Sequence, residues 1–260
     1  MKDLKITMIQ TELYWEDAEK NLEHFDLKIS EIKVPTDIIV LPEMFTTGFT
    51  MNPEELAEEH GGKGLQWMLQ KAIEKKCMVI GSISVKDNNH LYNRLYCAKP
   101  DGTYEIYDKR HLFRMGNEHQ HYAAGSVRLV INYKGWKICP FVCYDLRFPV
   151  WSRNRKGNAY DLAIYIANWP EVRAYPWKQL LIARAIENQA YVVGLNRIGD
   201  DGNNISHAGD SCIINPRGEV ICLIPSHEDK TETQSLSFTY LQEFKKLFPV
   251  MLDGDEFEIH

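Results

Sequence analysis

No run of about 18 apolar residues occurs in the 260-residue chain, so it offers no membrane-spanning helix. Glycine and proline are sparse, at 16 and 11 residues, which excludes a collagen-like or low-complexity chain. Positive charge is not in excess: 30 Lys and Arg face 36 Asp and Glu, a net charge of −6. A dedicated nucleic-acid binder needs a basic surface to displace counterions from phosphates, so nucleic acid is not an expected partner. The six cysteines (77, 97, 139, 143, 212, 222) include no close CxxC pair, which favours neither a disulfide framework nor a zinc site. There is no GxGxxG, and His60-Gly61-Gly62-Lys63-Gly64 lacks phosphate-loop spacing, so no nucleotide cofactor is expected. Met1-Lys2-Asp3-Leu4-Lys5-Ile6 leads straight into a strand pattern without a signal-peptide core. A cytoplasmic protein with reduced thiols is the expectation.

What is present suits a globular enzyme-sized chain, with 44% hydrophobic and 25% charged residues. Strand patterns fall at Leu4–Gln10, Ile38–Leu41, Met78–Val85, Leu162–Ile166 and Tyr191–Asn196. Helical spacing is seen from about Asp17 to Ile32, over Gly64–Lys75, over Trp177–Asn188 and over Tyr240–Phe248. The middle changes character. Tyr92–Cys97, Tyr104–Asp108, Val127–Tyr133 and Trp136–Val142 read as short strands, with turns at Pro100-Asp101-Gly102 and Lys134-Gly135. Further strands are expected at Asp210–Ile214 and Glu219–Leu223, around the turn Asn215-Pro216-Arg217-Gly218. Strand–helix alternation at both ends with hairpins between predicts an α/β protein, one domain over 1–260, with two mixed sheets packed as a sandwich and helices outside.

The segment most informative for chemistry is Ile138-Cys139-Pro140-Phe141-Val142-Cys143-Tyr144-Asp145-Leu146-Arg147-Phe148-Pro149. An apolar strand runs into Cys143, then a tight polar turn, then a helix start near Phe148-Pro149. A turn of that kind presents a nucleophile beside backbone N–H groups that can face developing negative charge. The alternative is a buried free cysteine acting as a small hydrophobe. Glu43, just past the strand at Ile38–Leu41, is either a base bordering a pocket or a surface carboxylate. Lys109, where the strand Tyr104–Asp108 runs out, is either a solvated charge or a fixed cation that lowers the Cys143 pKa and steadies an oxyanion. His111, His119 and His121 are close in sequence, but no carboxylate or cysteine completes an obvious metal set, and no metal is expected.

Three motifs in order carry a resemblance: Pro42-Glu43-Met44, Asp108-Lys109-Arg110-His111-Leu112-Phe113, and Val142-Cys143-Tyr144-Asp145-Leu146-Arg147-Phe148-Pro149. Lys109 lies 66 residues after Glu43, and Cys143 lies 34 after Lys109. The chain resembles the nitrilase superfamily of carbon–nitrogen hydrolases from Leu4 to about Leu223. The resemblance implies an α-β-β-α sandwich, a homodimer or higher assembly, and a Glu43–Lys109–Cys143 triad. It implies an oxyanion contact from the Tyr144 N–H, and an orienting or proton-relaying role for Glu118. The C-terminal segment 238–260 is expected in packing or oligomer contact. Asn168-Trp169-Pro170 resembles the omega-amidase branch, whose substrates are small dicarboxylic acid monoamides of the 2-oxoglutaramate and succinamate type. Such a substrate keeps a free carboxylate, so the pocket should hold a cation. Arg173 and Arg147 are the candidates, each with a structural salt bridge as the alternative. Phe45, Phe49, Phe113, Tyr144 and Trp169 are candidates for an apolar wall, or for ordinary core. Competing readings are another amidase, a carbamoylase or a nitrilase of the same superfamily, and a silent scaffold or redox-sensing binding protein.

Overall fold

The computed structural model describes residues 2–155, 157 and 159–259; Met1, Lys156, Asn158 and His260, the ends of the expected domain among them, lie outside that description. Two large mixed sheets organise the chain. The first runs in the order Lys230–Leu236, Leu4–Gln10, Ile38–Val40, Met78–Asp87, His90–Ala98, Tyr104–Asp108, with the short Glu58–Glu59 pairing off Met78–Asp87. The second runs Val220–Leu223, Cys212–Ile214, Tyr191–Asn196, Leu162–Ala167, Trp136–Val142, Ile131–Tyr133. The central strands of both sheets are parallel and the outer ones antiparallel.

Side-chain alternation separates the layers. Ile38, Val40, Met78 and Ile80 face the second sheet, in one core with Phe141, Ile164 and Val193. Ile39, Val79 and Leu41 point the other way, onto Leu22, Phe25, Ile29, Leu65 and Met68 of the helices Ala18–Ser30 and Lys63–Lys75. On the far side, Trp177, Leu181 and Ala185 of the helix Ala174–Asn188 lie one turn apart and fully buried. Full burial of a side chain such as Leu181 contributes roughly 1.5–3 kcal/mol. Gly194 on the strand beneath permits this approach, since a Cβ there would meet Leu181 Cδ1 at 2.4 Å. The result is the expected helix–sheet–sheet–helix sandwich. The parallel connections require such crossovers, and they place the carboxyl ends of Ile38–Val40, Trp136–Val142 and Leu162–Ala167 beside Glu43, Cys143 and Asn168.

Several boundaries differ from the sequence pattern. The helix expected from Trp177 starts at Ala174, because Pro176 is tolerated in a first turn where its missing N–H is not needed. The strand expected over Val127–Tyr133 is confined to Ile131–Tyr133. The strand Lys230–Leu236 was not expected, because its alternating Thr, Glu, Gln and Ser lack an apolar face. It is an edge strand, paired antiparallel to Leu4–Gln10 with a Thr7–Thr233 hydroxyl contact of 2.8 Å. The turn at Asp201-Gly202 closes a hairpin, Ile198–Asp200 with Ser206–Ala208.

The buried thiols and phenols set a limit to alkaline stability. Burial pushes Cys77, Cys139 and Cys212 up to about 12 from 9.0. Burial likewise pushes Tyr133 and Tyr191 up to about 12 from 10.0. A group held protonated by the fold contributes its stability below the unfolded value and loses it as pH rises toward the folded one. The melting temperature is therefore expected to hold at pH 7–9 and to fall steadily from about pH 9 to 12. A melting temperature flat across that window would contradict the burial of these groups.

Candidate active site

The strand Trp136–Val142 delivers Cys143 in a left-handed conformation, φ 42°, where a residue with a Cβ is strained. The turn Cys143–Arg147 follows, and the expected helix at Pro149 is a single turn, Pro149–Ser152. Contacts on all sides hold this strained elbow. Asp145 Oδ2 accepts from the Val142 N–H at 3.1 Å and the Tyr107 hydroxyl at 2.7 Å. Its Oδ1 accepts from the His111 N–H at 3.0 Å and lies 2.7 Å from His111 Nδ1. The His111 ring stacks on Phe148 at 3.8 Å. Arg184 Nη2 donates to the Leu146 carbonyl at 2.6 Å. The elbow is thus tied to the segment that follows Lys109.

Glu43, Lys109 and Glu118 meet in the interior, and the side chain of each is fully buried. Lys109 Nζ donates to Glu43 Oε1 at 2.8 Å and to Glu118 Oε1 at 3.0 Å, and lies 2.9 Å from Glu118 Oε2 as an ion pair. It also lies 5.0 Å above the Phe49 ring. Glu43 Oε2 accepts the Asn168 N–H at 2.8 Å, and Glu118 Oε2 accepts the Phe113 N–H at 2.6 Å. The segment that carries Lys109 is placed by close backbone approach. The Gly125 N–H donates to the Lys109 carbonyl at 2.9 Å, and a Cβ on Gly125 would lie 2.1 Å from the Asp108 carbonyl oxygen. Arg94 clamps Asp108 with two hydrogen bonds of 2.6 and 3.0 Å.

The electrostatics correct one expectation. Lys109 does favour the Cys143 thiolate, but burial and the charges of Glu43 and Glu118 outweigh it, so the thiol is pushed well above its ordinary range. The Glu43 charge acts on that thiol, and Sγ lies 4.0 Å from the carbonyl of Asn168, whose N–H is bonded to Glu43. The resting site therefore holds a neutral thiol beside a carboxylate that can take its proton. Burial, then the Glu43 charge, also raises Glu118, against the pull of Lys109.

Cys143 is 9% exposed and lines a cavity of about 530 Å³. The cavity brings together Phe113, Tyr144, Arg147, Asn168, Trp169 and Arg173. Both candidate cations, Arg147 and Arg173, and the wall candidates Phe113 and Trp169 are therefore at the Cys143 cavity. Arg147 lies 4.9 Å over the Trp169 ring and Arg173 lies 5.3 Å over Phe113. Neither meets a carboxylate among the described residues, so the salt-bridge alternative does not hold for either. Phe49 and Tyr144 belong to the expected wall, whereas Phe45 is core, packed on Phe25 at 5.5 Å and Trp67 at 5.6 Å. His111 is committed to Asp145, and among the described residues no three His, Cys, Asp or Glu side chains gather as a metal set.

Two residues that carry the site were given no role by the sequence pattern. Asn93, on the strand His90–Ala98, donates from Nδ2 to both Glu43 Oε1 and Glu118 Oε1. Asn168 clasps Glu43 twice, through its N–H and through Nδ2 to the Glu43 carbonyl at 2.6 Å. For Asn93 the only local signal was an asparagine inside a strand pattern, where this residue type is depleted, whereas Asn168 stood in the Asn168-Trp169-Pro170 motif without a role of its own.

Comparison with known proteins identifies the family. The family model for carbon-nitrogen hydrolase matches residues 5–246. Omega-amidase YafV of Escherichia coli K12 is 48% identical over 100% of both chains. The 2-oxoglutaramate amidase of Bacillus subtilis is 35% identical, covering 83% of this chain and 84% of that one. The crystal structure of XC1258 from Xanthomonas campestris, a CN-hydrolase superfamily protein with an arsenic adduct in its active site, matches at a TM-score of 0.97 and 41% identity over 100% of both chains. The chain belongs to the carbon–nitrogen hydrolases, the nitrilase superfamily.

Proposed function

We propose that the protein is an omega-amidase, a hydrolase that releases ammonia from the distal amide of dicarboxylic acid monoamides such as 2-oxoglutaramate and succinamate. One observation carries the substrate reading: a cavity at Cys143 holding two arginines, Arg147 and Arg173, each resting on an aromatic ring and neither neutralised by a carboxylate among the described residues. The names of the relatives in Escherichia coli and Bacillus subtilis support the same reading.

In the mechanism, Glu43 takes the thiol proton as Cys143 Sγ attacks the amide carbon. Lys109 and the Tyr144 N–H stabilise the oxyanion. Glu43 returns the proton to the nitrogen, the C–N bond breaks, and ammonia leaves. Water then attacks the thioester, giving its proton to Glu43, and the C–S bond breaks to release the dicarboxylate. The thiolate recovers its proton from Glu43. Glu118 holds Lys109 and, through it, the position of Glu43.

The test is ammonia release from 2-oxoglutaramate and succinamate with Cys143→Ala as the blank. Release that depends on Cys143 is expected. No release from either amide would overturn the omega-amidase reading and direct the search to nitriles, carbamoyl compounds or other amides. A second expectation concerns the carboxylate. Arg173→Ala or Arg147→Ala should raise KM for succinamate about 10- to 100-fold, the loss of one charge-assisted hydrogen bond. Hydrolysis of an uncharged amide should change little. Unchanged KM in both variants would remove the arginines from substrate binding.

We further propose a single-domain cytoplasmic homodimer. All six cysteines are free, as suits a reducing compartment. Leu247, Phe248 and Leu252 are 77%, 58% and 83% exposed in the C-terminal segment, apolar area of the kind a second copy covers.

A further inference from the structure

The Asn93 side chain is fully buried on the inner strand His90–Ala98, between two carboxylates. Its Nδ2 donates to Glu43 Oε1 at 2.8 Å and to Glu118 Oε1 at 3.1 Å. Lys109 Nζ bonds the same two oxygens at 2.8 and 3.0 Å. Two acidic oxygens therefore share two donors, and only one of the donors carries a charge. The other end of the amide, Oδ1, is buried without a hydrogen-bond partner among the described residues. Turning the amide over would aim Oδ1 at both carboxylate oxygens, so the charges select the orientation with Nδ2 inward. A buried acceptor left unpaired is a cost to the fold, offset here only by what the NH2 end does.

We propose that Asn93 is a positioning residue: its side-chain NH2 lets Glu43 and Glu118 stay ionised together beside a single lysine, and so keeps Glu43 free to accept the thiol proton. The inference rests on Glu43 being the base, as in the reading above. Two carboxylates that share donors with one cation tend to hold a proton between them. A proton on Glu43 would leave the Cys143 thiol without an acceptor. The groups facing the pair are Lys109, the Cys143 thiol, Tyr122 after the short helix Glu118–His121, and the N–H groups of Phe113 and Asn168. Lys109 is the one positive side chain among them. A neutral NH2 adds a donor without a second positive charge, which would make Glu43 a weaker base.

Asn93→Leu tests this, because it keeps the volume, removes the donor and removes the unpaired acceptor. At neutral pH, kcat/KM on succinamate is expected to fall about tenfold, as the acid limb of the pH profile moves up past neutrality by about one unit. Activity should recover as pH is raised. KM and the melting temperature should stay near those of the parent. Infrared difference spectra at neutral pH should show a protonated-carboxyl stretch in Asn93→Leu that the parent lacks. An unmoved acid limb, or a pH-independent loss accompanied by a lower melting temperature, would overturn the proposal in favour of a purely structural role. If Asn93→Leu does not fold, Asn93→Ser is the second variant. Its single hydroxyl can serve one carboxylate only and should move the limb in the same direction. If the parent releases no ammonia from either amide, the activity reading fails by itself. The infrared comparison then still decides whether Asn93 controls the proton count of the pair.

Discussion

Cys143→Ala is expected to abolish ammonia release, by roughly 10⁴- to 10⁶-fold, because a covalent mechanism loses its nucleophile outright. The fold should be unaffected. Cys143 is buried but lines the cavity, so loss of its sulfur enlarges a space already present, and alanine meets the same left-handed backbone, φ 42°, that cysteine already occupies. The melting temperature of the variant should match that of the parent. A residual rate within about tenfold of the parent would place the chemistry elsewhere. The state of the thiol gives a companion result. Burial and two carboxylates keep it neutral at rest, well above the ordinary thiol range. A general alkylating agent should therefore react slowly at neutral pH, without the early onset of a standing thiolate. An amide-shaped electrophile seated in the cavity should react faster, because it engages Glu43 as the base. Glu43→Gln should remove that advantage.

Lys109→Met is expected to cost both activity and stability. The methionine keeps the length of the side chain but leaves Glu43 and Glu118 buried with no cation between them. Breaking a buried ion pair on one side costs about 3–5 kcal/mol. Sequence spacing does not reveal this cost, because it does not show the lysine sealed between two carboxylates. The sign with pH follows. Without Lys109 both carboxyls bind protons more readily in the folded state than in the unfolded one. Such groups contribute stability below the unfolded value and lose it as pH rises from there through the folded one. The melting temperature of Lys109→Met should therefore lie closest to that of the parent near pH 4–5 and fall furthest below it near pH 8. A constant difference across that range would mean that the two carboxyls do not depend on Lys109 for their charge. Turnover should be lost at every pH where the parent is active, because the oxyanion loses a donor and Glu43 holds its proton.

The layered fold was readable because its causes are local. Ile38-Ile39-Val40 alternates between the two cores, and the helix faces of Leu22, Phe25 and Ile29 and of Trp177, Leu181 and Ala185 repeat at helical spacing. Lys230–Leu236 escaped because an edge strand needs backbone pairing and not an apolar face. Glu43, Lys109, Cys143 and Glu118 were readable as separate candidates, each just past a strand or within a polar turn. Asn93 was not, since nothing in Tyr92-Asn93-Arg94-Leu95 marks one strand residue as the donor to two acids far away in the chain. Phe45 and Phe49 look alike in sequence, four residues apart, yet one packs under a helix and the other lines the cavity.

The sequence by itself determined the element pattern, the two-sheet sandwich, the three motifs with their order and spacing, and hence the family. Those properties depend on residue type and period, which the chain carries along its length. Tertiary structure alone decided the charge states and the partners. Convergence of three strand ends seals Lys109 between two carboxylates, raises the Cys143 thiol, sets Asn93 across the acids and leaves Arg147 and Arg173 without a carboxylate partner among the described residues. Burial and through-space distance control ionisation, and neither is a property of neighbouring letters in a chain.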